Sequence, residues 1–194
     1  MMALARPRAA SGKAISVLAA LAVAAAVRAA ANGHSALTGF ATGGAFGILL
    51  VAVAVVAGWR PARPRPSSLL IGLLGGGVIV ATAQLAHPVV GAVVGMRPEP
   101  FAVWVFVTAL VVMGEEAVLR GALFRATEVA AGPIAAVAVT SIAFALIHVP
   151  LYGWQVVPLD LGVGIWLGGL RLATGGIAAP VVAHLVADLS TWWL

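Results

Sequence analysis

Residues 101–125 read FAVWVFVTALVVMGEEAVLRGALFR, an apolar stretch with two adjacent carboxylates, Glu115 and Glu116, and a basic residue one helical turn later, Arg120. A helix of about 20 apolar residues crosses the hydrocarbon core of a bilayer, so this stretch predicts a transmembrane helix. A charged residue near the centre of such a helix costs roughly 2.5–3.5 kcal/mol on insertion scales. Three of them together are therefore predicted to serve a function.

The rest of the chain has the same apolar character. Of its 194 residues 62% are hydrophobic and 9% are charged, and the mean hydropathy is +1.11, which excludes an ordinary soluble domain. The sequence predicts an all-α, polytopic transmembrane helical bundle of about seven spans, with a range of six to eight. The predicted spans are residues 14–31, 37–58, 68–95, 101–125, 131–149, 154–172 and 175–194.

The basic residues lie in short clusters on alternate connections between these spans. The net charge is +5, but no continuous basic face is formed, so nucleic acid is not predicted as a partner. Cytoplasmic loops carry the excess of Lys and Arg, which places the N-terminus in the cytoplasm and Trp192 and Trp193 at the outer interface. One side carries Arg6, Arg8, Lys13, Arg60, Arg63, Arg65, Arg125 and Arg171, and the opposite side carries Arg97 alone.

The first span allows two interpretations. It follows basic residues and ends in the small residues Ala29, Ala30 and Ala31, so it is either a membrane anchor or a cleaved signal peptide. Arg28, near its outer end, is predicted to extend toward the interface. The short, Ala-rich chain with alternating basic loops favours an integral protein of the bacterial cytoplasmic (inner) membrane.

The chain is predicted to divide into two parts. Residues 1–100 hold the N-terminal transmembrane helices and a basic, Pro-rich cytoplasmic linker at 59–67, where prolines prevent a helix. Residues 101–194 hold a core of about four transmembrane helices. The glycine pairs Gly43 and Gly47, Gly72 and Gly76, and Gly164 and Gly168 have the spacing at which small residues bring helices into close contact.

Cysteine is absent, which excludes disulfides, zinc thiolates and thiol nucleophiles.

Glu116 and Arg120 have the i, i+4 spacing of an ion pair on one helix, whereas Glu115 points about 100° away and is left without that partner. An unpaired buried carboxylate is a stronger base than a solvated one, as a general base near neutral pH requires. The other candidate polar residues are His148, His184 and Asp188.

His184 and Asp188 repeat the i, i+4 spacing, and His148 precedes Pro150, which should loosen the helix end there. Structural alternatives exist for each motif: an ion pair for Glu116 and Arg120, an interfacial histidine for His148, and an interhelical hydrogen-bond clasp for His184 and Asp188. The joint occurrence of two Glu, two His and one Asp on the last helices favours a functional site. The remaining candidates are predicted to be structural, loop or interface residues: His34, His87, Glu99, Glu128 and Asp160.

The estimated distance of each residue from the cytoplasmic end of its helix supports only part of this site. At about 1.5 Å per residue, Glu115 and His184 each lie roughly 15 Å from the cytoplasmic helix ends, so they are predicted to meet. His148 is predicted to lie nearer the outer face.

The three motifs resemble those of the CPBP family, the CAAX protease and bacteriocin-processing membrane proteins also called Abi. The resemblance rests on Glu115-Glu116-x-x-x-Arg120-Gly121, Phe144-x-x-x-His148 and His184-x-x-x-Asp188, in that order, and covers about residues 101–194. It implies a glutamate-type intramembrane endopeptidase related to the CAAX prenyl endopeptidase.

By this resemblance each motif has a role in the hydrolysis of a peptide bond. Glu115 and His148 would activate a water, His184 and Asp188 would bind the oxyanion, and Glu116 and Arg120 would hold these groups in place. Well-studied members have asparagine at the position of Asp188, and an ionised aspartate cannot donate to an oxyanion. The hypothesis is that Asp188 instead orients His184 and keeps it a charged donor.

Other functions remain open at this stage. No cofactor is predicted, although Glu and His are good zinc ligands and zinc is not excluded; no H-E-x-x-H pair is present. A catalytically silent immunity or scaffold protein would carry the same motifs. A proton-coupled transporter is less favoured, because the first half of the chain has almost no acidic residues. The predicted partners are the lipid bilayer and a membrane-associated or lipidated peptide.

Overall fold

The computed structural model describes residues 5–31, 36–90 and 100–193, and these residues form helices without any strand. Of the residues named above, His34, Arg97 and Glu99 lie outside the described residues, as do the side chains of Arg6 and His87. We number the helices α1 (Ala5–Ala31), α2 (Ala36–Val56), α3 (Pro66–Val90), α4 (Phe101–Ala131), α5 (Pro133–Tyr152), α6 (Val157–Thr174) and α7 (Ala178–Ser190).

The helices have the length and composition of membrane spans. Within the described ranges, six helices, α1 to α6, are long and apolar enough to cross a bilayer, and α7 is a shorter apolar helix. The structure thus confirms the predicted polytopic helical bundle. Residues 59–65 between α2 and α3 are not helical, as their prolines predicted, but the last two residues of the predicted linker begin α3, where Pro66 takes the first position.

A glycine directly follows each of the helices α4, α5 and α6. Gly132, Gly153 and Gly175 have φ values of +88°, +85° and +73°, a region that residues with a Cβ atom rarely occupy. Each helix therefore ends at its glycine, and the chain reverses within a few residues. Pro133 then occupies the first position of α5, where its missing amide donor costs nothing.

Other glycines let helix backbones touch. A Cβ atom added at Gly47 would lie 2.8 Å from a backbone carbonyl of α4, one at Gly76 would lie 2.9 Å from a carbonyl of α7, and one at Gly164 would lie 2.8 Å from a Cα atom of α5. These distances are shorter than any normal contact, so only glycine fits. The small-residue pairs therefore lie at the helix interfaces, as predicted.

Aromatic side chains join the beginning of α4 to the end of α7. The ring of Phe101 lies 4.7 Å from the ring of Trp192, and the rings of Trp104 and Trp192 are 5.0 Å apart. The cluster lies at the end of the bundle predicted to face outward, where tryptophan rings are enriched in membrane proteins.

The middle of α4 departs from α-helical geometry. Residues Ala117–Leu123 form a π-helical segment, and the amide of Phe124 donates to the carbonyl of Leu119, five residues earlier. The wider turn begins directly after Glu116. π-Helical segments are rare and often mark functional sites. The Nε atom of Arg171 on α6 donates to the carbonyl of Arg120 at 3.0 Å, which satisfies an acceptor inside this segment.

Candidate active site

Four polar side chains are buried where α4 meets α7. Glu115 and Glu116 are 2% and 0% exposed, Arg120 is 0% exposed, and His184 is 4% exposed. Charges so deeply buried must be paired, because desolvation is costly. The sequence prediction that Glu115 and His184 lie at the same depth agrees with this geometry.

The carboxylate of Glu116 connects two partners. Its Oε1 atom accepts a hydrogen bond from Nη1 of Arg120 at 2.9 Å and lies 3.0 Å from Nδ1 of His184. A carboxylate oxygen accepts, so Nδ1 of His184 donates. The i, i+4 pair on α4 thus forms as its spacing suggested, and it also fixes the imidazole of α7.

Arg120 extends this network to α5 and α6. Its Nη2 atom donates to the carbonyl of Gly164 at 3.2 Å, and its guanidinium lies 4.8 Å from the centre of the Phe144 ring. Nε of Arg120 and Oε2 of Glu116 have no hydrogen-bond partner among the described residues. One arginine therefore links three of the four C-terminal helices around the glutamates.

Glu115 makes only long contacts. Its Oε1 atom lies 3.8 Å from Nη1 of Arg28, and its Oε2 atom lies 4.0 Å from Nε2 of His184. Because neither pair is within hydrogen-bonding distance, this carboxylate retains capacity to accept further hydrogen bonds.

Arg28 is a site residue that the sequence did not identify. Its side chain was predicted to extend toward the outer interface, but its guanidinium lies 4.6 Å from the ring centre of Phe46 and turns inward toward Glu115. The side chain is 19% exposed. An arginine in the outer half of an apolar span was the available signal, because such a cation is retained only when it has a partner.

His148 has a defined tautomer in its neutral form. Its Nδ1 atom lies 2.9 Å from the carbonyl oxygen of Phe144 and 3.4 Å from Oδ2 of Asp160. A carbonyl can only accept, so Nδ1 carries the proton and Nε2 keeps its lone pair. The imidazole therefore presents a basic nitrogen on the side away from Asp160.

Asp160 was predicted to be a loop or interface charge, and the structure places it in a helix rather than in a loop. It lies in the first turn of α6 and reaches His148 across the turn at Gly153. The two residues are five and seven positions from that glycine, so a helical hairpin brings them to similar depth. The similar spacing of these two residues from the glycine was the signal available in the sequence.

The structure does not bring His148 into contact with Glu115. No ion pair of 4.0 Å or less joins these two residues, both of which lie in the described part of the chain. The ring of Phe144 lies between the two histidines, 4.7 Å from the His148 ring and 5.3 Å from the His184 ring. The site thus has an inner group around Glu116 and an outer group around His148, consistent with the predicted outward position of His148.

Asp188 borders the inner group. Its Oδ1 atom lies 3.6 Å from Nε2 of His184, and its side chain is 42% exposed. Glu116 is nearer to this imidazole than Asp188 is, with 3.0 Å between its oxygen and Nδ1. His184 is therefore surrounded by three carboxylates, and Glu116 is the one that orients it most directly.

The described residues include no cluster of three or more His, Asp or Glu side chains arranged to hold a metal ion. The inner group provides an accepting carboxylate in Glu115 and a donor in His184, and the outer group provides an imidazole with a free lone pair in His148. Such a set suits proton transfer and the stabilisation of a developing negative charge.

An apolar groove lies near the outer group in the chain. It has a volume of about 380 Å³ and runs between α1 and α5, where Ile147 and Pro150 flank His148 in the chain. The groove is lined by apolar side chains alone, so an apolar segment can lie in it.

Residues 97–190 match the model of a protein family described as type II CAAX prenyl endopeptidase Rce1-like. The matched segment spans α4 to α7 and includes all three motifs on which the resemblance rested. No curated protein and no solved structure matched the chain.

Proposed function

We propose how this chain acts from the premise that, through its residues 97–190, it belongs to the CPBP family, of the type II CAAX prenyl endopeptidase Rce1-like kind. Its general type is that of a CAAX-protease-like intramembrane endopeptidase. We propose that a water activated by Glu115 and His148 hydrolyses a peptide bond of a membrane-associated or lipidated peptide, without a metal. The observation that carries this proposal is the buried, loosely paired carboxylate of Glu115 beside the oriented imidazole of His184.

Glu115 is the proposed base. Its oxygens lie 3.8 Å and 4.0 Å from their nearest charged partners, which leaves lone pairs for a water proton. As the water oxygen bonds to the carbonyl carbon, its proton passes to Glu115, and a negative charge develops on the carbonyl oxygen. The same proton then passes to the leaving nitrogen as the C–N bond breaks, so that one carboxylate acts first as base and then as acid.

His184 is the proposed donor to the oxyanion. Its Nδ1 atom donates to Glu116 at 3.0 Å, so Nε2 is aimed toward Glu115 and Asp188. Nε2 can donate to the oxyanion when the imidazole is protonated, because both ring nitrogens then carry hydrogen. A fixed donor stabilises the tetrahedral intermediate without reorganising during the reaction. Glu116 and Arg120 act through this imidazole and are positioning residues.

His148 is proposed to assist from the outer side. Its Nε2 lone pair can accept a second hydrogen bond from the attacking water once substrate is bound. Because no ion pair of 4.0 Å or less joins it to Glu115, the substrate or a water must bridge the two groups.

We further propose that α4 to α7 form the catalytic core and that peptides enter along the groove between α1 and α5. We also propose that the chain works in the bacterial inner membrane.

The first test is cleavage by the purified full chain in liposomes against a library of membrane-anchored peptides. We expect cleavage by the wild type, loss in His148→Ala, and no effect of a chelator. Cleavage abolished by the chelator would overturn metal independence. If no peptide is cut, or if His148→Ala cuts as well as the wild type, the catalytic assignment is wrong. A binding or immunity role then becomes the favoured function.

Asp160→Asn should slow cleavage by about tenfold to a hundredfold, less than the whole contribution of about 10²–10⁴-fold that a general base makes. The substitution removes the charge 3.4 Å from Nδ1 of His148 but leaves the Phe144 carbonyl to set the tautomer. Steady-state kinetics should show a lower kcat with little change in KM. A change in KM alone would instead assign Asp160 to substrate binding.

Asp188→Asn should reduce cleavage by about tenfold, less than the loss of about 10²–10³-fold expected when an oxyanion donor is removed. The amide keeps the shape of the side chain but removes the negative charge 3.6 Å from Nε2 of His184. We expect the pH profile of kcat to change as well. An unchanged rate with an unchanged pH profile would exclude an electrostatic role for Asp188.

A further inference from the structure

A second, larger cavity shares only Arg120 with the candidate active site. It has a volume of about 950 Å³ and opens between the Pro-rich linker, the end of α4 and the turn between α6 and α7. These segments carry the basic clusters that predict the cytoplasmic side of the membrane. The cavity therefore lies at the cytoplasmic interface, where lipid headgroups are found.

The lining of this cavity is strongly basic. Six cations other than the buried Arg120 line it, and none of its lining residues is acidic: Lys13, Arg60, Arg63, Arg65, Arg125 and Arg171. They come from α1, the linker, α4 and α6, so the tertiary fold collects them. Like charges held this close repel one another, and an anion would relieve that repulsion.

Few of these charges are neutralised within the protein. Arg60 donates to the carbonyls of Val55 and Trp59, both at 2.8 Å, and Arg171 donates to the carbonyl of Arg120 at 3.0 Å. These acceptors are uncharged. None of the six forms an ion pair with another described residue, and Glu128, which acts on Arg171 through space, does not line the cavity.

The cavity also has an apolar side. Leu69 of α3 and Met113 of α4 line it, and they are 38% and 39% exposed. Leu70 and Leu73, on the same helix as Leu69, are 58% and 55% exposed and continue this apolar surface along α3. A ligand with an anionic head and a hydrocarbon tail would satisfy both parts.

We propose that this cavity binds the phosphate headgroup of an anionic lipid from the cytoplasmic leaflet, with the acyl chains lying along α3. Basic pockets between transmembrane helices on the cytoplasmic side bind such headgroups. The volume of about 950 Å³ is large for a phosphate ion alone, whereas it accommodates a headgroup with its glycerol. The apolar wall beside the cations favours a lipid over a free anion.

The proposal is tested by lipid binding to the purified full chain in neutral detergent, measured by native mass spectrometry. Phosphatidylglycerol should bind about tenfold more tightly than phosphatidylcholine. Inorganic phosphate in a separate titration should neither bind in the same concentration range nor displace the lipid. Phosphatidylcholine binding as tightly as phosphatidylglycerol would overturn the proposal, and displacement by inorganic phosphate would assign the cavity to a free anion instead.

Arg63→Gln should weaken phosphatidylglycerol binding by about fivefold, with a larger loss in the double variant Arg63→Gln, Arg65→Gln. Both residues are exposed in the linker, so the fold should be retained, which circular dichroism can verify. Arg8→Gln is the matched control, because Arg8 is exposed in α1 but does not line the cavity. An equal loss in Arg8→Gln would assign binding to diffuse surface charge. The readout requires no cleavage, so it is independent of the proposed protease function.

Discussion

Glu115→Gln should lower peptide cleavage by about 10²–10⁴-fold while the protein remains folded. The amide has nearly the same shape as the carboxylate but cannot take a proton from water. The contacts of the Glu115 carboxylate are long, 3.8 Å to Arg28 and 4.0 Å to His184, so the substitution loses little packing or hydrogen bonding. Single-turnover cleavage in liposomes, with thermal unfolding in detergent, separates the catalytic effect from a folding effect.

Glu128→Gln is the control for this substitution. Glu128 lies on the same helix, is partly exposed, and has no place in the proposed mechanism. It should cleave at the wild-type rate. If Glu115→Gln cleaves as fast as this control, Glu115 is not the base, and the proposal of a glutamate-activated water fails.

Arg120→Met should destabilise the protein by about 3–5 kcal/mol, the usual cost of leaving a buried charge without its partner. Arg120 and Glu116 are both 0% exposed and are joined at 2.9 Å. The substitution also removes the hydrogen bond to the carbonyl of Gly164. Equilibrium unfolding by denaturant in mixed micelles measures the loss.

Two further variants make this prediction specific. Arg125→Met changes an exposed arginine of the same helix and, without anionic lipid present, should stay within about 0.5 kcal/mol of the wild type. The double variant Arg120→Met, Glu116→Gln should recover part of the lost stability, because no buried charge then lacks a partner. Equal stability of Arg120→Met and Arg125→Met would show that the buried ion pair contributes nothing.

The membrane spans and one half of the candidate site were predictable because they depend on local geometry. Apolar length alone predicts which segments cross a bilayer. The i, i+4 spacing of Glu116 and Arg120 places both side chains on one face of α4 wherever that helix packs. The glycine pairs likewise lie at helix contacts for a local reason, since only a residue without Cβ allows two backbones to meet.

The tertiary structure decided which residues from different helices meet. The inward turn of Arg28 toward Glu115 and the pairing of Asp160 with His148 depend on how each helix is rotated about its axis and how deep it lies. The π-helical segment after Glu116 changes that rotation for every later residue of α4, and nothing in its sequence predicted it. Helical spacing determines which residues are neighbours within one helix, whereas the rotation and depth of each helix result from the packing of all seven described helices. The sequence by itself could therefore predict the motifs but not the distances between them.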